Sequence, residues 1–182
     1  VFIEHRWLHN TTSEVPEKKY FLPLSKSNVV KKGKDITIVS NSYMTIEALK
    51  ASEFLERNKI NVEIIDLRTI SPIDYNTIYK SIKKTNKVLV LDIANEKFGV
   101  ASEIVSNISL NLFNYLKSAP DIIALPNSPT PTSFELTKNF YPTHKEIIIK
   151  VFEMIGKKIS RNSLPKNLNM HDVPGDWFKG PF

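Results

Sequence analysis

Four histidines and no cysteine bound the chemistry open to this chain. Without a thiol, disulfides, thiol catalysis and thiolate metal sites are excluded. His5, His9, His144 and His171 are the only imidazoles, and none has a Glu or Asp at the helical spacing that turns two ligands toward one ion, so no metal site is expected. His5 and His9 stand four apart where a strand-like run passes into a linker. On a strand they would share a face. A linker hydrogen bond or an interface through His5 and Arg6 is the simpler expectation. Ser40-Asn41-Ser42 follows an apolar strand and opens a helix. Ligands of open α/β sheets bind beyond the carboxyl ends of strands, and helix N-termini favour anions. These residues could therefore hold a phosphate or carboxylate. Plain N-capping by Asn41 or Ser42 is the simpler account, and the glycine that eases close approach of an anion is missing. Asp66, Arg68 and Asp74 also look catalytic. Asp66 ends a strand, Arg68 follows in the turn, and Asp74 falls in the first turn of a helix, where negative charge is favourable. An Asp66–Arg68 ion pair fixing the turn is the more economical account, and no residue is assigned to catalysis. Glu96-Lys97-Phe98-Gly99 forms another strand-end loop, in which Gly99 is expected to supply the permissive backbone for a helix start.

The elements that must position these residues alternate between strand and helix. Residues 35–40, 62–66, 88–91 and 121–125 are short apolar runs rich in β-formers, which suits strands buried on both faces. Between them, helices are predicted over 44–58, from Ser71-Pro72 onward with Ile73, Ile78 and Ile82 as the apolar stripe, and over 101–116 with Ile104, Val105, Ile108, Leu112 and Leu116. A last helix spans 143–158, with Thr143 and Glu146 as a capping box. Residues 25–30 read as an edge strand, 127–133 as a Pro-rich loop. This alternation predicts an α/β fold, a three-layer α/β/α sandwich around a mostly parallel five-stranded sheet. Residues 9–27 read as linker. The tail, 160–182, is rich in Asn, Pro and Gly. It carries Met170, Val173, Trp177, Phe178 and Phe182, more apolar weight than a disordered tail needs, so it is expected to dock on its own domain or a partner, with Trp177 and Phe178 as interface candidates.

Length, charge and hydropathy narrow the classes further. The 182 residues are 41% hydrophobic and allow one domain with a proper core. No apolar run approaches the roughly 18 residues of a membrane span, and no signal-peptide pattern opens the chain, so cytoplasm is the default compartment. The formal charge is +6, but the lysines are scattered at turns and helix ends, without the basic stripe and interleaved aromatics of a nucleic-acid binder. The sequons at Asn10 and Asn107 have meaning only in a secreted chain. The first residues, Val1-Phe2-Ile3, form a strand-like run without a leading Met, which leads us to expect a piece cut near a domain boundary.

Five segments in order carry a family resemblance. Asp66 to Asp74, DLRTISPID, resembles the D-x-R-T-x-x-P-[LI]-D signature of the transketolase C-terminal domain, in the form seen in β subunits of thiamine-diphosphate-dependent 2-oxo acid dehydrogenases, the E1 components. Val1 to Arg6 resembles the strand and linker leaving a preceding pyrimidine-binding domain. Val15-Pro16 to Tyr20 with Pro23-Leu24 resembles the V-P-E-x-x-Y…P-L linker, Phe98 to Ile104 the F-G-x-x-x-E-I step, and Pro129 to Ser133 the P-x-P-x-S loop. The strand before Phe98 departs from the pattern: it closes Asp92-Ile93, where many relatives have Asp-Glu or Glu-Gly.

The resemblance implies a linker over 1–24 from an N-terminal pyrimidine-binding domain, a transketolase C-terminal-like domain over 25–159, and a docked tail over 160–182. It implies the assembly domain of an E1 β subunit, in an enzyme that decarboxylates pyruvate or a branched-chain 2-oxo acid and passes the acyl group to lipoyl on E2. The implied partners are an α-type subunit, a second β subunit and possibly E2. Thiamine diphosphate and Mg²⁺ belong to the full enzyme. The activating Glu and the G-D-G…N diphosphate motif lie outside this sequence, so the chain alone is expected to bind no cofactor and catalyse nothing. A transketolase or deoxyxylulose-phosphate synthase domain is the neighbouring alternative. A stand-alone α/β module with an anion at 40–42 and 95–99 is the more distant one.

Overall fold

The structure, a computed structural model, describes residues 1–165, Val173 and Phe178. Its elements in chain order are β1 (Asn28–Lys31), β2 (Ile36–Ser40), α1 (Ser42–Arg57), β3 (Val62–Asp66), α2 (Tyr75–Thr85), β4 (Val88–Asn95), α3 (Val100–Leu112), β5 (Asp121–Leu125) and α4 (His144–Met154). The five strands lie in the order β1-β3-β2-β4-β5. β1 runs antiparallel to β3 at one edge, and the remaining pairs are parallel. The expected three-layer sandwich is therefore the one observed.

Topology decides which helix covers which face. A right-handed crossover from β2 to its neighbour β3 puts α1 on one side. The chain then reverses direction across the sheet, from β3 over β2 to β4 and on to β5, so the same handedness puts α2 and α3 on the other. On the first face Ile36, Ile38, Ile64 and Leu91 meet Met44, Ala48, Ala51 and Leu55 of α1 and Ile147, Ile148 and Val151 of α4. On the second, Val39, Ile65, Val88 and Val90 meet Ile78 and Ile82 of α2 and Ile104, Ile108 and Leu112 of α3. The tight turn before β2 needs Gly33, because a Cβ there would lie 2.2 Å from the Val62 carbonyl carbon.

Several boundaries differ from the expected ones, each for a local reason. α2 starts at Tyr75 instead of Ser71-Pro72, whose peptide is cis. Asp74 is its N-cap, accepting from the Thr77 N–H at 3.3 Å and the Thr77 hydroxyl at 2.7 Å, and an Asp cap defines a helix start more strongly than an early Pro. β4 continues past Leu91 to Asn95, so Asp92 lies within the strand. α3 stops at Leu112 and passes into a 3-10 turn, Phe113–Tyr115. α4 keeps its capping box but ends at Met154, with Gly156 at φ 73° in the left-handed conformation that closes helices. Val1, Phe2 and Ile3 form no strand and stay exposed; the first ordered turn is the 3-10 helix Arg6–Leu8. Of the tail, Val173 and Phe178 are half-buried, while Met170, His171, Trp177 and Phe182 lie outside the described residues.

Candidate functional site

β2 and β4 are neighbours, yet the helices that follow them, α1 and α3, lie on opposite faces. The crevice beyond their carboxyl ends is where such sheets place ligands. Asn41 follows β2 and Asp92 stands in the second half of β4, and they meet there. The Asn41 Nδ2 donates to Asp92 Oδ1 at 3.2 Å. The same carboxylate accepts from the Ala94 N–H at 3.2 Å and, through Oδ2, from the Ala101 N–H at 3.0 Å. Asp92 is thus buried and held by an amide and two backbone dipoles, one of them at the start of α3, and it forms no ion pair among the described residues. Gly99, the N-cap of α3, sits at φ −87°, so it is not needed for left-handed backbone. It is needed for space: a Cβ would come within 2.7 Å of the Asn95 carbonyl oxygen and 3.3 Å of Asp92 Oδ2. The left-handed residue of this loop is Phe98, fully exposed at φ 58°.

Beside Asp92 lies a cavity of about 200 Å³ whose wall includes His5, Trp7, Tyr43, Met44 and Tyr141. Trp7 meets Tyr43 and Tyr141 edge to face, with ring centroids 4.9 and 5.2 Å apart, and His5 stacks on Tyr43 at 5.8 Å. His5 caps the Arg6–Leu8 turn: its Nδ1 accepts from the Trp7 N–H at 3.2 Å. Burial, and then the neighbouring His9, lowers the His5 pKa and favours the uncharged ring that this bond requires.

Tyr43 is fixed from behind by Glu47, one helical turn on. The buried Glu47 carboxylate accepts from the Tyr43 hydroxyl at 2.7 Å, the Lys50 ammonium at 2.7 Å, the His144 N–H at 2.8 Å and the His144 Nδ1 at 3.0 Å. Burial alone would raise its pKa. The donors from His144, Lys50 and Tyr43 outweigh that and hold the carboxyl at about 2. Burial, and then the Glu47 charge, pushes the Tyr43 phenol well above its ordinary value. This group ties α1 to the start of α4.

The residues singled out in the sequence disperse. Ser40 is buried, its hydroxyl spent on Thr45 at 3.0 Å and the Ile65 carbonyl at 3.2 Å. Asn41 occupies the N-cap position of α1 but makes no capping bond with its side chain, which is turned to Asp92 instead. Its Oδ1 is buried without a hydrogen-bond partner. Ser42 opens α1 at φ 48°. With the Asp92 carboxylate already present, a second anion between Asn41 and β4 meets repulsion. Arg68 Nε stands 3.8 Å from Asp66 Oδ2, with Arg68 itself at φ 58°. Burial raises Asp66 despite that neighbour. Arg6 is exposed, and His9 lies 3.2 Å from Glu4. Asn107 accepts from Tyr79 inside the α2–α3 layer. Among the described residues, no three His, Asp or Glu side chains stand close enough to share a metal ion, and no helix is long and apolar enough to cross a membrane.

The site was hidden in the sequence because Trp7, Tyr43, Asp92 and Tyr141 come from four distant segments. One signal was available: Glu47 lies on the apolar stripe of Met44, Ala48, Ala51 and Leu55. A carboxylate there must find donors.

Comparison with known proteins agrees with this architecture. Residues 25–147 match the family model described as "Transketolase, C-terminal domain". The β subunit of acetoin:2,6-dichlorophenolindophenol oxidoreductase from Cupriavidus necator is 34% identical over 147 residues, 81% of this chain and 44% of that protein. The pyruvate dehydrogenase E1 component β subunit of Mesostigma viride is 37% identical over 158 residues, 87% of this chain and 48% of that one. The chain thus spans about half the length of the curated relatives it matches. Among solved structures, a split-gene transketolase, an inactive β4 tetramer, aligns with TM-score 0.64 at 24% identity, covering 81% of this chain and 48% of that one, which is a likeness of fold.

Proposed function

The chain belongs to the transketolase C-terminal domain family, and from that premise we propose that it serves as the assembly domain of a 2-oxo acid dehydrogenase E1 β subunit. In this reading residues 1–24 link it to a pyrimidine-binding domain, 25–159 form the assembly unit, and 160–182 dock on it or on a partner. The whole enzyme decarboxylates pyruvate or a branched-chain 2-oxo acid with thiamine diphosphate and Mg²⁺ and passes the acyl group to lipoyl on E2, in a cytoplasmic setting. An α-type subunit and a second β subunit are the expected partners, with E2 as a further one. His5, Arg6, Trp177 and Phe178 are assigned to interfaces, and Asp66 with Arg68 to shaping a turn.

The observation that carries an assembly role is the apolar surface left uncovered. Val1, Phe2, Ile3, Phe21 and Leu24 before the first strand, Phe98 in the loop after β4 and Phe113 in the turn after α3 are all more than 70% exposed. Apolar area of that kind marks places where other chains pack. The residues at the switch point do not fit the cofactor. No lysine or arginine lines the cavity, so a diphosphate would find no cation to balance it there. No step of the reaction is therefore routed through this chain.

Two measurements test the proposal. Calorimetric titration of the chain with thiamine diphosphate and Mg²⁺ should give no saturable heat. Light scattering of the chain co-expressed with an α-type subunit and a pyrimidine-type domain should give a mixed assembly. Cofactor binding by the chain alone, or failure to enter any such assembly, rejects the reading.

A further inference from the structure

Lysines that look scattered along the sequence gather at one end of the fold. The parallel strands start at this end, and α1 to α4 finish at it. Lys32 and Lys34 precede β2, Arg57 and Lys59 precede β3, Lys117 precedes β5, and Lys157-Lys158 follow α4. Hydrogen bonds join these loops to one another. The Lys34 N–H donates to the Asn61 carbonyl at 3.0 Å, the Lys117 N–H to the Asn86 carbonyl at 2.8 Å, and the Lys87 ammonium to the Met154 carbonyl at 2.7 Å. We propose that this end docks an acidic, extended peptide segment of a partner protein, its carboxylates on the lysines and one apolar side chain on Phe113 at the margin.

The acids of this end are already engaged. Glu56 pairs with Lys31 at 2.8 Å, Glu63 with Lys84, and Asp121 and Glu153 with Lys150 at 3.0 and 3.1 Å. Asp35 accepts from the Asn61 N–H at 2.6 Å. Glu53, a turn above Arg57, is exposed and outside these pairs, too little to balance seven cations. Those seven are exposed and form no ion pair among the described residues. Neighbouring strands lie about 4.8 Å apart, so β3 to β5 spans roughly 15 Å. That is little more than the ~10 Å Debye length at 0.1 M salt, and the fields of the cations add. Negative helix C-termini also draw cations. That account does not reach Lys32, Lys34 and Lys117, which lie in loops outside the last turn of any α-helix.

The chemistry favours carboxylates over nucleic acid. All of the seven but Arg57 are lysines, compact charges without the fork that grips a phosphate at two points. The exposed rings of this end, Phe113 and Tyr115, stand at one margin, whereas single-strand binders set rings along the charged track. The Lys83 ammonium lies 5.0 Å from the centroid of the Tyr115 ring, which makes that margin continuous with the basic surface. The inference does not rest on the proposed enzyme, because it concerns only groups present in this chain.

The test uses the 182-residue chain and three fluorescent probes of equal length: an Asp/Glu peptide with one central Phe, its Asn/Gln counterpart, and an oligothymidylate. Binding is read by anisotropy. The acidic peptide should bind saturably, at least tenfold more tightly than its neutral counterpart, and raising salt from about 0.05 to about 0.3 M should weaken it at least tenfold. Lys32→Glu/Lys34→Glu/Lys117→Glu should weaken it at least tenfold. Lys18→Glu/Lys19→Glu/Lys97→Glu changes the net charge equally, in the linker and at the opposite end, and should leave affinity within twofold. Phe113→Ser should weaken the peptide at least threefold. If the first triple variant fails to fold, Lys157→Glu/Lys158→Glu replaces it, with at least a fivefold loss expected. Equal affinity for the two peptides, equal losses in the two triple variants, or tighter binding of oligothymidylate overturns the proposal. So does unchanged affinity in Phe113→Ser.

Discussion

The two faces of the sheet are built on different principles. On the α2/α3 face Val39, Ile65, Ile78, Ile82, Val90, Ile104 and Ile108 pack against one another, and the buried polar groups bond from sheet to helix: Thr37 with Thr85 at 2.7 Å, Glu63 with Lys84, and Asp92 with the Ala101 N–H at 3.0 Å. The α1/α4 face holds an equally apolar centre, but its buried acid, Glu47, joins two helices, and an aromatic cavity lies at its rim. The first face ties each helix to the strands beneath it. The second also fixes the directions of Tyr43 and Trp7, which hydrophobic packing alone does not specify. Polar groups inside a protein are costly unless fully bonded, and the two faces meet that cost differently: strand to helix on the α2/α3 side, helix to helix through Glu47 on the α1/α4 side.

The sharpest way to break the comparison is to damage each face and follow stability with pH. Ile104→Ala on the α2/α3 face should cost about 4 kcal/mol of unfolding free energy, from lost burial and the cavity left behind. Urea melts should give the same loss at every pH tested. Glu47→Gln should cost about 3 kcal/mol at pH 7, because His144 and Lys50 lose their charged acceptor, and this loss should depend on pH. Glu47 sits at about 2, below its ordinary 4.5, so its contribution is complete above pH 4.5 and drains away as pH falls through about 2. The gap between wild type and Glu47→Gln should therefore close on acidification. A gap that stays constant would mean that the carboxylate charge is not what holds α1 to α4.

Smaller changes sharpen the contrast at the strand ends. Asp74→Ala should cost about 1.5 kcal/mol, since one carboxylate both caps α2 and accepts from the Ser27 N–H at 3.1 Å. Hydrogen exchange should show β1 loosening with the start of α2. Arg68→Gly should raise stability by about 1 kcal/mol in thermal melts. It relieves a left-handed backbone, and a pair as long and half-open as Arg68–Asp66 contributes at most about 0.5 kcal/mol. A loss instead would give that pair a larger part in the turn.

The fold was legible because its evidence is local. The apolar runs at 36–39, 62–65 and 88–91 can only be buried strands, and Thr143 with Glu146 announces α4 within four residues. The start of α2 was misread because Pro72 and Asp74 both signal a helix start, and choosing between them requires knowing that Asp74 also accepts from Ser27. The site was largely illegible. Asn41 looked like a cap or an anion holder, and Asp92 only like a departure from the family pattern. Their partnership exists because β2 and β4 become neighbours. Trp7 lay in what reads as linker and became part of a wall only through Tyr43 and Tyr141. Spacing along a chain does not encode that kind of adjacency.

The segments flanking the sheet return to one side of it. Trp7 and Leu8 before the first strand, and Ile159 and Leu164 after the last helix, all pack on the α1/α4 core. In mechanical terms, a pull between these two segments loads that layer and leaves the α2/α3 layer slack. The Glu47 tie between α1 and α4 then works as a rivet across the loaded seam, and the domain should yield by shedding that layer first.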